Sequence, residues 1–156
     1  MSNPNEKKDP KLHHVTDVDG LPEGVSLDDL VAFFHDKMKP WHDTPGDVAK
    51  ALDYAFGRVP GRQGFAVLAT IDGKLIGGTV FLDTGMGGYV PRNLLLFVAV
   101  LPELRGRGYG KVIIDEALRH CEGDVKLHVE YENPAQHLYE RVGFVSKYKE
   151  MRLKRD

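Results

Sequence analysis

The chain of 156 residues has a single cysteine, Cys121. One thiol excludes an internal disulfide and is typical of proteins that work in a reducing compartment. The sequence also lacks a run of eighteen or more apolar residues, and its N-terminus has no apolar segment of the signal-peptide type. We therefore expect a cytoplasmic protein that does not enter a membrane.

An excess of charge of either sign is missing as well. The formal net charge is −2 and the isoelectric point about 6.4, so no overall positive field favours nucleic acid as a partner. Hydrophobic residues make up 42% and charged residues 28% of the chain, which is typical of a folded domain. The length fits one domain, and we predict a loose tail over residues 1–10 and a single domain over residues 11–156.

Two sets of catalytic motifs are absent. The seven histidines form no H-E-x-x-H pattern and Cys121 has no second cysteine beside it, so we expect no metal site. The G-x-S-x-G pattern of α/β-hydrolases is missing too. These absences argue against zinc-dependent hydrolysis and against a serine nucleophile of the hydrolase type.

Hydrophobic periodicity and turn residues predict ten elements in the order β, α, α, β, β, β, α, β, α, β. A mixed, largely antiparallel sheet flanked by helices is the expected fold, of class α/β (α+β). The apolar run 94–100 predicts a central strand that is buried on both faces. The predicted strands are 11–15, 64–71, 74–82, 94–100, 125–131 and 144–155, and the predicted helices follow Ser26, Thr44, Gly110 and Pro134.

The stretch "LRGRGYG", residues 104–110, places three glycines and two arginines between a strand and a helix. Unpaired backbone N–H groups gather at the start of a helix, at the positive end of its dipole, and bind phosphate well. Glycines let the backbone approach the oxygens, and arginines add positive charge. The loop from Arg105 to Lys111 therefore has the chemistry of a pyrophosphate site.

Other phosphate-binding motifs fit this loop poorly. A Walker A loop needs Ser or Thr after its lysine, whereas Val112 follows Lys111, and the spacing of the glycines is not G-x-G-x-x-G. An Arg-Gly segment that binds RNA is usually repeated, and this one occurs once. A tight turn in which the glycines serve only geometry stays open as an alternative.

Two segments together carry a family resemblance over about a third of the chain. The segment "FVAVLPELRGRGYGKVIIDEAL" resembles the coenzyme-A-binding motif of the GNAT-type N-acetyltransferase superfamily, with its R-x-x-G-x-G core at Arg105, Gly108 and Gly110. The later segment "ENPAQHLYERVGF" is similar to that superfamily's next motif. The resemblance implies a GNAT-type acyl-CoA N-acyltransferase fold and direct transfer of acetyl from acetyl-CoA to a primary amine in a ternary complex. It implies neither a metal nor a covalent enzyme intermediate.

The resemblance also implies roles for particular residues. Tyr139 takes the position of the general acid that protonates the thiolate of coenzyme A. The backbone of three strand residues is expected to pair with the pantetheine arm, and the loop is expected to hold the pyrophosphate with help from Asn133. The implied cofactor-binding residues are Val98, Ala99, Val100, Arg105, Gly106, Arg107, Gly108, Tyr109, Gly110, Lys111 and Asn133.

The chain departs from the family pattern in two places. One residue separates Asn133 from Ala135 where two are usual, so Glu132 is an alternative to Asn133. The strand "LLLFVAV" has no carboxylate that could serve as general base. Glu130 is our candidate for that role, with His128 and a water molecule as alternatives.

Three further questions stay open in the sequence. Trp41, between the first two predicted helices, either borders the acceptor cleft or serves packing. The acceptor amine is not identified, and the last predicted strand could pair between two subunits of a homodimer. A catalytically silent acyl-CoA-binding or sensor module is the alternative function, supported by the missing strand carboxylate.

Overall fold

The computed structural model describes residues 7–156. Its elements follow the predicted order as far as the fourth helix, and two single-turn 3-10 helices, Val18–Gly20 and Pro102–Leu104, lie between them. The strands and helices are β1 Lys11–Val15, α1 Leu27–Lys37, α2 Pro45–Ala55, β2 Gln63–Ile71, β3 Lys74–Asp83, β4 Asn93–Val100, α3 Tyr109–Arg119, β5 Val125–Leu127 and α4 Ala135–Val142.

The five strands form one mixed sheet in the order β1-β2-β3-β4-β5. The first four are antiparallel to their neighbours, and β5 runs parallel to β4, which confirms the predicted fold class. The prediction that 94–100 is the central strand, buried on both faces, is wrong. The middle position belongs to β3, because β1 and β2 lie on one side of it and β4 and β5 on the other, and buried residues alternate with half-buried residues along β4 as far as Ala99.

Local sequence signals fix the ends of several elements as predicted. Ser26 and Asp29 form a reciprocal capping box at the start of α1, with N···O distances of 3.0 and 2.9 Å. The side chain of Thr44 caps α2. Asp72 and Gly73 both have positive φ, 51° and 79°, which gives the tight β2–β3 hairpin the mirror-image turn that matches strand twist.

Two adjacent glycines in β3 place helices on opposite faces of the sheet. A Cβ atom on Gly77 would lie 2.8 Å from Ile113 of α3, and one on Gly78 would lie 3.2 Å from Phe34 of α1. Successive strand residues point to opposite faces, so α3 covers one face and α1 the other. Because glycine has no side chain, both helices can approach the sheet closely.

The C-terminal part differs most from the prediction. The strand predicted over 125–131 ends at Leu127, and the strand predicted over 144–155 is absent from the described chain. Alternation of apolar and polar residues specifies the two faces of a strand but supplies no hydrogen-bonding neighbour. Without such a neighbour, neither segment completes a ladder.

Candidate active site

The C-terminal half of β4 has one free edge. β4 pairs with β3 as far as Val100, but its pairing with β5 stops at Leu95. Within residues 7–156, the predicted pantetheine-binding residues Val98 and Ala99 therefore pair with no strand on the β5 side. An extended ligand could add to this edge in the manner of a strand. The carbonyl of Val100 is partly used, because it accepts a hydrogen bond from Nε of Arg105 at 3.1 Å.

The glycine loop leads directly from this strand into α3. Gly106 and Gly108 have φ of 76° and 89°, which is the left-handed region that glycine adopts without strain. Gly108 is also the N-cap of α3 and offers no side chain to the first amides of the helix. These features fit a pyrophosphate group held by backbone N–H groups at a helix start.

The two arginines of the loop have different surroundings. The guanidinium of Arg105 donates to the carbonyls of Val100 and Lys37, so it ties the end of β4 to the end of α1. Arg107 is exposed. Lys111 is exposed too and forms an ion pair with Asp115 at 2.7 Å. Within residues 7–156, no hydrogen bond or ion pair engages the side chain of Arg107.

Tyr109 is buried at the start of α3 and is held by the N-terminal segment. Its hydroxyl donates to the carbonyl of Lys8 at 2.7 Å, and its ring is 2% exposed. The ammonium of Lys7 lies 5.2 Å from the centre of that ring. The same ammonium is 3.4 Å from where a Cβ atom of Gly108 would stand. A lysine that sequence analysis assigned to a loose tail thus lies beside the glycine loop, and no sequence signal indicated it.

Tyr139 lies on α4, which packs on α3. Its side chain is 8% exposed, and its ring is 5.9 Å from that of Phe144 in an edge-on arrangement. Burial, together with the nearby negative charge of Glu130, raises the pKa of Tyr139 to about 12. The phenol is protonated at neutral pH, as an unshifted tyrosine also is, and so has a proton to donate.

Glu130 and Asn133 form a small polar group beside this tyrosine. Nδ2 of Asn133 donates to the carboxylate of Glu130 at 2.9 Å. Oδ1 of Asn133 accepts from the backbone N–H of Ala135 at 2.9 Å, where α4 begins. Both ends of the Asn133 amide are thus bonded within the protein. Glu130 is exposed, and so are His128 and Glu132, the alternatives considered from the sequence.

Trp41 lies in the connection between α1 and α2 and is half-buried. Its backbone N–H donates to the carbonyl of Met38, the C-cap residue directly after α1. The bond from Arg105 to Lys37 joins this end of α1 to the end of β4. Trp41 is therefore on the side of the domain where β4 ends and the glycine loop begins.

A groove of about 390 Å³ lies at the opposite end of α3 and contains none of the predicted site residues. It is lined by residues that include His14, Arg92, His120 and Cys121. No group of three His, Cys, Asp or Glu side chains within residues 7–156 is arranged to hold a metal ion. None of the helices in that range is long and apolar enough to span a membrane.

Comparison with known proteins agrees with this geometry. Residues 27–144 match the model of the acetyltransferase (GNAT) family, whereas no curated protein matches the chain. A candidate acetyltransferase from Deinococcus radiodurans R1 is 25% identical, with a TM-score of 0.57 over 92% of this chain and 88% of that one. A candidate GNAT-family acetyltransferase from Xanthomonas campestris pv. campestris is 22% identical, with a TM-score of 0.62 over 92% and 94%.

A third solved structure contains coenzyme A. It is an aminoglycoside N-acetyltransferase in complex with CoA, 22% identical, with a TM-score of 0.51 over 59% of this chain and 75% of that chain. At 22% identity, the similarity to this structure shows only a shared fold. The family match extends from α1 past α4 and so includes the open strand edge, the glycine loop and Tyr139. The chain belongs to the GNAT family of acetyltransferases.

Proposed function

We propose that this protein is an N-acetyltransferase that transfers acetyl from acetyl-CoA to a primary amine by direct attack in a ternary complex. The observation that carries the proposal is the position of Tyr139, a buried phenol on α4, the helix that packs on the helix following the glycine loop. A proton donor is needed where a thiolate departs, and a phenol that stays protonated at neutral pH supplies one.

Acetyl-CoA supplies the activated acetyl group, and the fold offers it a matching surface. The free edge of Val98, Ala99 and Val100 is available to the amide-bearing pantetheine arm. The backbone of Gly106 and Gly108, with the side chains of Arg107, Lys111 and Lys7 around it, would hold the pyrophosphate. We assign Arg105, Tyr109 and Gly110 to the same loop as residues that fix its shape.

Glu130 is our proposed general base. As the nitrogen of the amine bonds to the acetyl carbon, the nitrogen loses a proton to the carboxylate of Glu130. The carbon–sulfur bond breaks, and the sulfur takes a proton from the hydroxyl of Tyr139. Asn133 holds the carboxylate of Glu130 in place at 2.9 Å, and any contact of Asn133 with acetyl-CoA competes with that bond.

The acceptor is a primary amine that enters beside Trp41, at the junction of α1 and α2. A location in the cytoplasm belongs to the same proposal, because a chain with the one cysteine Cys121 suits a reducing compartment. A screen of amines should include polyamines, amino acids, peptides and aminoglycosides, the last because of the CoA-bound structural neighbour.

The test is a thiol-release assay with Tyr139→Phe. We expect kcat at neutral pH to fall about 100-fold, the usual range for loss of a general acid, while the Kd for acetyl-CoA measured by calorimetry changes little. An unchanged kcat would contradict the role of Tyr139. Wild-type protein that binds acetyl-CoA but releases no thiol with any amine in the screen would instead support the silent acyl-CoA-binding module.

A further inference from the structure

The groove at the far end of α3 is a second cavity of the size that holds a small molecule. Its volume of about 390 Å³ falls within the range of about 300–1,000 Å³ that is typical of ligand sites. The eleven residues of α3 separate it from the glycine loop by roughly 16 Å, at ~1.5 Å per residue. It also contains Asn93, the first residue of β4, whereas the proposed acetyl-CoA site lies at the last residues of that strand. A ligand in this groove therefore occupies a site separate from that of acetyl-CoA.

Asn93 presents a hydrogen-bond acceptor to the groove. The residue is 5% exposed, and its Nδ2 donates to the carbonyls of Glu122 at 2.6 Å and Asp124 at 3.2 Å. Its Oδ1 accepts no hydrogen bond within residues 7–156. No fully buried side-chain oxygen in this part of the chain lacks a partner, so Oδ1 is accessible at the wall of the groove. Polar atoms in such places are usually hydrogen-bonded, and the N–H of a ligand would supply the bond.

Negative charge lies close to this acceptor. Glu122 also lines the groove, and its side chain is 93% exposed and free to turn toward a ligand. α3 ends at Arg119, and the C-terminal end of a helix has a partial negative charge that favours cations. An ammonium group can therefore be held between Oδ1 of Asn93 and the carboxylate of Glu122.

Arg92 offers the opposite charge in the same groove. A guanidinium has five N–H donors, and that of Arg92 makes a single hydrogen bond within residues 7–156, to the carboxylate of Asp83 at 3.4 Å. Its distance from the carboxylate of Glu122 is 4.0 Å, which is too long for a hydrogen bond. The carboxylate of Asp83 accepts a shorter bond, 2.8 Å, from the backbone N–H of Gly85. Arg92 therefore retains N–H groups that can bind the carboxylate of a ligand in the bidentate manner.

Three aromatic rings form one wall of the groove. The rings of His14 and His120 stack with their centroids 3.8 Å apart, and His14 meets Phe65 edge-on at 5.1 Å. All three residues line the groove. Such a wall favours contact with an apolar or aromatic side chain.

We propose that the groove binds a free α-amino acid, with its carboxylate bound to Arg92 and its ammonium bound to Glu122 and Asn93. The two charged groups of an α-amino acid are attached to one carbon atom, which suits protein charges that lie 4.0 Å apart. An anion without the ammonium would meet the carboxylates of Asp83 and Glu122, and a cation without the carboxylate would meet the guanidinium of Arg92. A zwitterion pairs with both signs of charge.

Amino-acid binding does not depend on acetyl transfer, and calorimetry with coenzyme A at saturation tests it. The standard amino acids are titrated one at a time at neutral pH, and we expect apolar or aromatic ones to bind most tightly. The amide and the deaminated acid of the tightest ligand should each bind about tenfold more weakly, the loss of one charged hydrogen bond. An amide or a deaminated acid that binds as tightly as the amino acid would contradict the two-charge site. Failure of every amino acid to bind at millimolar concentration would also overturn the proposal.

Variants determine whether the bound amino acid lies in the groove. Arg92→Gln and Glu122→Gln should each raise its Kd about tenfold, and Glu122→Gln should leave far-UV circular dichroism unchanged because that side chain is 93% exposed. Glu103→Gln, the same change at an exposed carboxylate outside the groove, should keep the wild-type Kd. Wild-type Kd values in both groove variants would contradict the proposal. A Kd that rises in Trp41→Ala and not in Glu122→Gln would assign the amino acid to the proposed acceptor site and would contradict it as well.

Discussion

A Cβ atom on Gly110 would lie 2.9 Å from Cδ2 of Leu138. Gly110 is the last glycine of the first motif, and Leu138 directly precedes Tyr139 in the second. The absence of a side chain at Gly110 therefore lets α4 approach α3 and sets the position of the proposed general acid relative to the glycine loop. Two motifs that are far apart in sequence meet at this contact.

Gly110→Ala should lower kcat several-fold by displacing Leu138 and, with it, Tyr139. Global stability should change by less than about 1 kcal/mol, because alanine favours a helix by roughly that amount over glycine and offsets the strain. The double variant Gly110→Ala with Leu138→Ala should recover kcat relative to Gly110→Ala, and Leu138→Ala alone is the control. Equal kcat values for wild type and Gly110→Ala would show that this packing does not position Tyr139.

Lys7→Ala should raise the KM for acetyl-CoA about tenfold, the loss expected for one charged hydrogen bond. The KM for acetyl-pantetheine, which has no pyrophosphate, should stay constant. Lys8→Ala is the matched control, because the ammonium of Lys8 pairs with Asp72 at 3.0 Å and only its backbone carbonyl holds Tyr109. If both KM values rise in Lys7→Ala, the N-terminal segment supports the fold and not the phosphate site.

Glu130→Gln should have two effects that distinguish its roles. Removing the negative charge lowers the pKa of Tyr139, because that charge contributes to raising it. Ultraviolet titration of the phenolate, with Tyr139→Phe as the blank, measures this shift. If Glu130 is also the base, kcat/KM at neutral pH falls about 100-fold. A shifted phenol pKa with unchanged kcat/KM would leave the base role to water.

Acid should destabilise the fold near the rings of His14 and His120, which stack with centroids 3.8 Å apart. Burial lowers the pKa of His14 and the charge of His120 lowers it further, while Glu116 acts in the opposite direction. The unfolded chain therefore takes up a proton at a higher pH than the folded chain does. The contribution of His14 to stability is therefore complete above pH 6.5 and is lost as the pH drops through the lowered pKa.

Urea unfolding at pH 7.5 and pH 5 checks this pH dependence. His14→Asn should show a smaller loss of stability between the two pH values than wild type. His42→Asn, in the α1–α2 connection, is the control and should keep the wild-type difference. The same difference in His14→Asn and wild type would assign the acid sensitivity to other groups.

Local signals in the sequence determined much of the fold. Capping residues, the Asp72-Gly73 turn and the apolar periods placed the helices and the first strands, because these features act over a few residues. The two family motifs likewise identified the glycine loop and Tyr139. Whether Asn133 holds Glu130 or a ligand depends on a contact that spacing alone does not give.

Tertiary structure decided which residues act together and which strands exist. Lys7 reaches the glycine loop only because the N-terminal segment lies against Tyr109 at the start of α3, and Gly110 contacts Leu138 only because α3 and α4 pack. The strand pattern over 144–155 was present in the sequence, yet a strand forms only where a hydrogen-bonding neighbour lies beside it. The sequence by itself determined the helices, the first four strands and the family, because these depend on local signals and motifs, and tertiary packing decided which further strands form and which residues meet at the site.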